Sequence, residues 1–371
     1  MAGTRASICG LAGLLFAQAD GATAGAQRPE AEIQTAIRQE LDLLRADPDM
    51  HGIAIGISLE GGHYRGYGGS LDAAGSGPPD DHTRFEVASV TKTFTGLLVA
   101  RAVAEGRLTL EAPVSPLLGV DLPALRGVTV RDLISHTSGL PDLLPGLGDP
   151  WDTDYDALLS ENADVDTLLL SAVAKLPARS SADSAYRYGN AGPVILGLVL
   201  SKVYGEPFES LVRDRILVPH GMTESGFPGI DFGSETLAKG YSDRLTRMPH
   251  YPGVYRASRG LALTLPDLLR YVDAQLDESD PAIRRSHELM LEHPAPEAFR
   301  AWFWLVNRYP DGARRISVHG GGYGTQAWVM FFPEYRSGAV VLVNQSGPNT
   351  AGLITDAAKR LLARFTPYQP G

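Results

Sequence analysis

A chain of 371 residues, 44% hydrophobic and 20% charged, has the composition of an ordinary globular protein, long enough for one large domain or two interleaved layers. Its formal net charge of −10, with no basic run and no aromatic-basic stripe, excludes a nucleic-acid surface. The single cysteine, Cys9, excludes a structural disulfide and a Cys-based zinc site, and its place in a segment expected to be removed excludes a thiol nucleophile.

That segment has the pattern of a secretory signal peptide. Arg5 gives a positive start, Ile8 to Ala17 form a short apolar run, and Ala17-Gln18-Ala19, Ala22-Thr23-Ala24 and Ala24-Gly25-Ala26 are small-residue cleavage sites. The run is too short to span a membrane, and Cys9 stands at its start rather than at its end, against a lipid anchor. Residues 1–26 are expected to be cleaved, leaving 27–371 as a periplasmic or secreted domain with no stable membrane anchor.

A helix is expected from about Pro29 to Ala46, with Ile33, Ile37, Leu41 and Leu44 on one stripe. Gly52 to Leu59 reads as a strand, Glu60-Gly61-Gly62-His63 as a tight turn, and His63 to Tyr67 as the returning strand. Gly68 to His82 is a loop. A largely apolar helix is expected to start at Phe85, carry Ser89 and Lys92, and stop at Gly106. Further helices are expected at Val130 to His136, Leu168 to Lys175, Gly192 to Tyr204, Glu209 to Ile216 and Leu265 to Leu276. Strands return at Arg315 to His319, Thr325 to Phe332 and Gly338 to Asn344. Ala301 to Arg308, aromatic and β-branched, precedes the turn Tyr309-Pro310-Asp311-Gly312. A final helix has Leu353, Ile354, Ala357, Ala358, Leu361, Leu362 and Phe365 on one face. The expected architecture is α/β plus all-α: a five-stranded antiparallel sheet flanked by N- and C-terminal helices (27–84 and 296–371), with a large helical insertion (85–295).

Ser89 and Lys92 are three apart, on one face of a helix. Alone, such a pair is better explained by a cap and a snorkelling lysine. Tyr188-Gly189-Asn190 precedes a helical run and reads equally as a buried tyrosine and a cap. Val318-His319-Gly320-Gly321-Gly322 ends a strand, where glycines permit a bulge or the close approach of a ligand. Ser135-His136-Thr137-Ser138-Gly139-Leu140 closes a helix in a tight loop, and His136 there reads first as a structural histidine.

Taken together these residues resemble the serine β-lactamase and penicillin-binding-protein superfamily, in the branch of class C β-lactamases, D-alanyl-D-alanine carboxypeptidases and their esterase relatives. Its S-x-x-K, Y-x-N and glycine-ended triplet appear in order as Ser89-Val90-Thr91-Lys92, Tyr188-Gly189-Asn190 and His319-Gly320-Gly321. Gly221-Met222-Thr223 and the 135–140 segment are further phrases of that kind. The resemblance implies a β-lactamase/transpeptidase-like fold and an acyl-enzyme on Ser89. Lys92 and Tyr188 would be the proton-transfer pair, since neither, with ordinary pKa values of about 10.4 and 10, is a good base alone. Asn190 would hold the substrate's amide side, and His319 would face the tyrosine and a substrate carboxylate beside Gly320, Gly321 and Gly322. The oxyanion hole would be the N–H groups of Ser89 and Gly322. No metal or cofactor is implied, and the partner is a small-molecule or peptide substrate: a D-alanyl peptide, an ester or a β-lactam.

Histidine in the third motif is at most partly charged at neutral pH, and Gly320 lacks the hydroxyl common there, which shifts weight from a class C-like β-lactamase toward a carboxypeptidase-like or esterase-like hydrolase. A non-catalytic penicillin-binding sensor or scaffold is the alternative of another class. An α/β-hydrolase is excluded because no G-x-S-x-G elbow exists for His319-Gly320-Gly321-Gly322 to serve. A zinc hydrolase is excluded because His287 and His293 do not have H-E-x-x-H spacing.

Overall fold

The computed structural model describes residues 30–72, 74–148, 153–155, 157–158, 164–179, 185–251 and 253–369. Residues 1–26, read above as a signal peptide and holding Cys9, lie outside them.

Helix α1 (Glu30–Arg45) buries Ile33, Ile37, Leu41 and Leu44, the stripe its spacing predicts. Strands β1 (Ile53–Leu59) and β2 (Gly62–Gly68) form the first hairpin. Phe85–Glu86 is not helical. It is a short strand, β3, paired with β4 (Ala262–Leu263), and a single 3₁₀ turn (Ala88–Val90) follows before helix α2 (Thr91–Ala104) begins. Apolar side chains at 85 and 87 serve a strand and a helix alike, so periodicity could not place that boundary. Helix α2 is buried from Thr91 to Ala100, as befits a helix apolar on all sides. Helices α3 (Ala191–Tyr204) and α4 (Leu265–Leu276) pack around it, with shorter helices at Val130–Ile134, Val165–Ala174 and Phe208–Val212.

The sheet is antiparallel but has eight strands, not five, in the order β2-β1-β10-β9-β8-β7-β6-β5. The additions are β5 (Leu291–Glu292), β6 (Ala298–Arg300) and β7 (Leu305–Arg308), ahead of β8 (Arg314–Gly321), β9 (Gln326–Phe332) and β10 (Ser337–Val343). Each of the three is too short to show a period of two, and β5 places the sheet's edge upstream of residue 296. Helices α1 and α5 (Thr350–Phe365) cover one face over Ile53, Ile55, Met330, Phe332 and Val341. The helical region covers the other over Val318, Val329, Phe331, Val340 and Leu342. Burial on both faces explains why β10 reads Ser-Gly-Ala-Val-Val-Leu-Val without alternation. The polar residues of the three motifs meet in the cleft between the helical region and β8.

Candidate active site

The nucleophile candidate is set by backbone geometry before any side chain acts. Ala88 has a left-handed φ of 44°, an uncommon conformation for a residue with a Cβ. It turns the chain sharply, so Ser89 stands half-buried at the mouth of the cleft. The Ser89 amide lies in the first turn, where helical geometry supplies no acceptor.

Lys92, one turn on, is 1% exposed. Its Nζ lies 2.8 Å from Ser89 Oγ, 2.8 Å from Asn190 Oδ1 and 3.1 Å from the Ser258 carbonyl. Burial, and then the positive charge of Arg259, hold its pKa well below the usual lysine value, against a smaller opposing pull from Asp142. A neutral amine carries two hydrogens and one lone pair. Asn190 Oδ1 and the Ser258 carbonyl can only accept, so they take the hydrogens and the lone pair falls to the Ser89 hydroxyl. The three contacts thus match a base.

Tyr188 donates to the same Ser89 Oγ at 2.6 Å. The residue is 46% exposed, but its hydroxyl is at the crowded end, and burial there raises its pKa despite the Ser89 hydrogen bond and the Arg259 charge. Tyr188 is therefore a phenol at neutral pH. His136 packs against its ring at 4.8 Å, and the His136 carbonyl accepts from the Arg187 N–H at 2.8 Å. Burial, with smaller contributions from Lys92 and Arg300, pushes His136 down to about 3. It is a neutral wedge behind Tyr188, the structural role its sequence context suggests.

Asn190 occupies the N-cap position of α3 but makes no side-chain cap bond. Asp142 caps the helix instead, because its main-chain carbonyl accepts from the Asn190 and Ala191 amides at 3.1 and 3.2 Å. Asp142 Oδ1 accepts from Asn190 Nδ2 at 2.6 Å, which turns Asn190 Oδ1 toward Lys92. Sequence reasoning gives Asp142, Ser258 and Arg259 no place in the site.

On β8 the structure departs from the expected assignment in two respects. First, a Cβ at Gly320 would lie 2.1 Å from the Val87 carbonyl, so Gly320 is pressed against the nucleophile's segment. His319 consequently lies on the opposite face. Its Nε2 is 3.0 Å from Gln326 Oε1, which fixes Nε2 as the protonated nitrogen, and its ring packs near Trp328. Burial lowers its pKa, so it is a neutral wall of the cleft directed at Gln326 rather than at Tyr188. Second, the Gly322 N–H donates to the Thr325 carbonyl at 2.8 Å within the β8–β9 hairpin and is occupied. Alternate residues of an antiparallel strand bond to opposite neighbours, so Gly321 turns its N–H and C=O away from β9. The phase agrees from the far side of the sheet: Asn344 donates to Gly52, so Val343 bonds to Gln326, and Gln326 is turned away from Gly321. Strand β7 pairs only as far as Ser317, which leaves the main-chain groups of His319 and Gly321 on an open edge.

Gly320→Ala is expected to destabilise the fold by about 1–3 kcal/mol through that backbone clash, read as a lower urea midpoint. An unchanged midpoint would contradict the close packing of β8 on the Ser89 turn.

Ser89, Lys92, His136, Tyr186, Tyr188, Arg300, Phe303, His319 and Trp328 line one cavity of about 210 Å³. Arg300 lies 3.8 Å over the Tyr186 ring and has no carboxylate partner among the described residues. A larger hollow of about 490 Å³, beside Asp166, Lys202 and Arg256, contains none of these groups. Among the described residues no group of three or more His, Cys, Asp and Glu side chains could hold a metal ion, and no helix is long and apolar enough to cross a membrane.

Comparison with known proteins places the chain in a family. The chain is 32% identical over 212 residues to esterase EstB of Burkholderia gladioli, a match covering 55% of this chain and only 52% of that protein. It is 30% identical over 313 residues to a penicillin-binding protein of Bacillus subtilis (strain 168), covering 78% of this chain and 67% of the other. A class C beta-lactamase crystallised in complex with cefoxitin superposes with a TM-score of 0.75 at 22% identity, covering 91% of this chain and 99% of that one, which shows the fold. The family profile described as Beta-lactamase matches residues 36–364, and the chain belongs to that family of serine hydrolases.

Proposed function

We propose that this protein hydrolyses small carboxylic esters through a covalent acyl-Ser89 intermediate. The observation that carries this is the placement of two groups of opposite proton role on one oxygen: Lys92 Nζ at 2.8 Å and Tyr188 Oη at 2.6 Å from Ser89 Oγ. Ser89 Oγ attacks the carbonyl carbon as its proton passes to the Lys92 lone pair. The oxyanion accepts from the Ser89 and Gly321 amides, donors worth about 3 kcal/mol each in such a site. Collapse expels the alcohol, which takes a proton from the Lys92–Tyr188 pair. Water, deprotonated by the same pair, then attacks the acyl carbonyl and releases the acid and Ser89. Esters are favoured over anionic substrates because β8 presents neutral His319 where a carboxylate would need a fixed cation.

A D-alanyl peptide is the second reading, supported by the Arg300 guanidinium in the cavity, which has no carboxylate partner among the described residues and suits a terminal carboxylate. Parallel assays with p-nitrophenyl acetate, a D-Ala-D-Ala peptide and a chromogenic cephalosporin separate the readings. Turnover of the ester alone is expected, and turnover of none would leave only a non-catalytic scaffold. We also propose that residues 1–26 direct export and are removed. Amino-terminal sequencing of exported protein is expected to begin close to Gln27, and an intact start at Met1 would contradict it.

Activity is expected to rise with pH through the depressed Lys92 pKa, because only the unprotonated amine accepts the Ser89 proton. It should not fall before Tyr188 ionises, above the ordinary value of 10.0. Arg259→Met removes a charge that lowers Lys92, so the acid limb of kcat/KM should move to higher pH. A shift to lower pH would overturn the assignment of Lys92 as base.

A further inference from the structure

The open edge of β8 presents two carbonyls beside the nucleophile, those of His319 and Gly321. Such carbonyls accept N–H groups from an extended chain laid along a sheet edge. One is already engaged: Tyr251 Oη donates to the Gly321 carbonyl at 3.2 Å. The tyrosine is firmly placed. Its backbone N–H donates to Glu86 Oε1 at 2.8 Å, and His250 Nδ1 lies 2.9 Å from Glu86 Oε2. The Tyr251 ring packs on Tyr323 with centroids 4.7 Å apart, and the Arg259 guanidinium lies 4.8 Å from its centroid. Glu86 is buried and belongs to the segment that delivers Ser89, so nucleophile and tyrosine are held by one piece of chain. Among the described residues, a Cβ at Gly321 would meet only His319 Cε1, at 3.4 Å.

We propose that Tyr251 is a specificity-determining residue that selects plain acyl esters over acylamino substrates by occupying the Gly321 carbonyl. This rests on the acyl-Ser89 reading. A substrate with an amide N–H beside its scissile carbonyl would have to displace the tyrosine hydroxyl to reach that acceptor. It exchanges one hydrogen bond for another and gains little. A plain acyl chain leaves the Tyr251 bond intact.

The test uses p-nitrophenyl N-acetylglycinate and p-nitrophenyl 4-oxopentanoate, which differ by N–H against CH₂ at one position, with p-nitrophenyl acetate as the reference ester. Tyr251→Phe keeps the ring and its stacking while freeing the carbonyl. In this variant the kcat/KM ratio of N-acetylglycinate to 4-oxopentanoate is expected to rise about tenfold over wild type, the value of one hydrogen bond to a desolvated acceptor, while acetate turnover stays within about twofold. A ratio that moves by less than about threefold, with acetate still hydrolysed, overturns the role of Tyr251 alone. Absence of acetate turnover by both proteins overturns the acyl-Ser89 reading, and the specificity assignment falls with it.

Discussion

Ser89→Ala is expected to abolish turnover, with a loss of about 10⁴–10⁶ in kcat, while the protein remains folded. Both halves follow from the geometry. The hydroxyl is the one atom contacted by both Lys92 and Tyr188, so its removal leaves two proton-transfer groups with nothing to act on. The turn that presents it is made by the backbone at Ala88 and by the packing of Gly320 on Val87, neither of which uses the Ser89 side chain. The measurement is steady-state ester hydrolysis beside a urea unfolding curve. Wild-type rate in a folded Ser89→Ala protein would remove the serine from the chemistry.

Lys92→Met is the second large effect. General bases of this kind contribute about 10²–10⁴ in rate, and no neighbour can replace this one. Tyr188 holds its proton more tightly than an ordinary tyrosine, and His136 and His319 are held neutral by burial, one wedged behind the tyrosine ring and the other bonded to Gln326. Stability should change little. Methionine fills the same buried space without the cost of desolvating an amine, which offsets the partners lost by Asn190 Oδ1 and the Ser258 carbonyl, each worth about 1 kcal/mol. Retention of more than about a tenth of the activity would show that another base serves Ser89.

Much of this site was legible in the sequence because its parts are local and ordered. Ser89 and Lys92 are one helical turn apart, and Tyr188 and Asn190 stand immediately before an apolar helix. The outer helices and the strands of β1, β2 and β8–β10 were legible because each is long enough to show its period. Strands β5 and β6 are two and three residues long and were hidden for that reason, whereas β7 lies inside the aromatic, β-branched stretch Ala301 to Arg308 and was only left out of the strand count. The Gly322 N–H, the expected oxyanion donor, is taken by the Thr325 carbonyl, and glycine identity carries no phase that could show this: only the ladder shows that Gly322 bonds to Thr325 and that Gly321 faces outward. Asn190 looked like a cap, and the residue that relieves it of capping, Asp142, comes from a loop far away in sequence. Ser258, Arg259 and Tyr251 were invisible for the same reason, since no local pattern distinguishes a carbonyl or a guanidinium that tertiary packing brings beside Lys92.

The central claim is that Ser89 carries the acyl group, and rapid quenching of the enzyme during p-nitrophenyl acetate turnover tests it most directly. Intact mass followed by peptide mapping should find one acetyl group, attached to Ser89 and absent from Ser89→Ala. Acetylation at another residue, or turnover with no adduct even in a Tyr188→Phe variant that slows deacylation, would contradict the account.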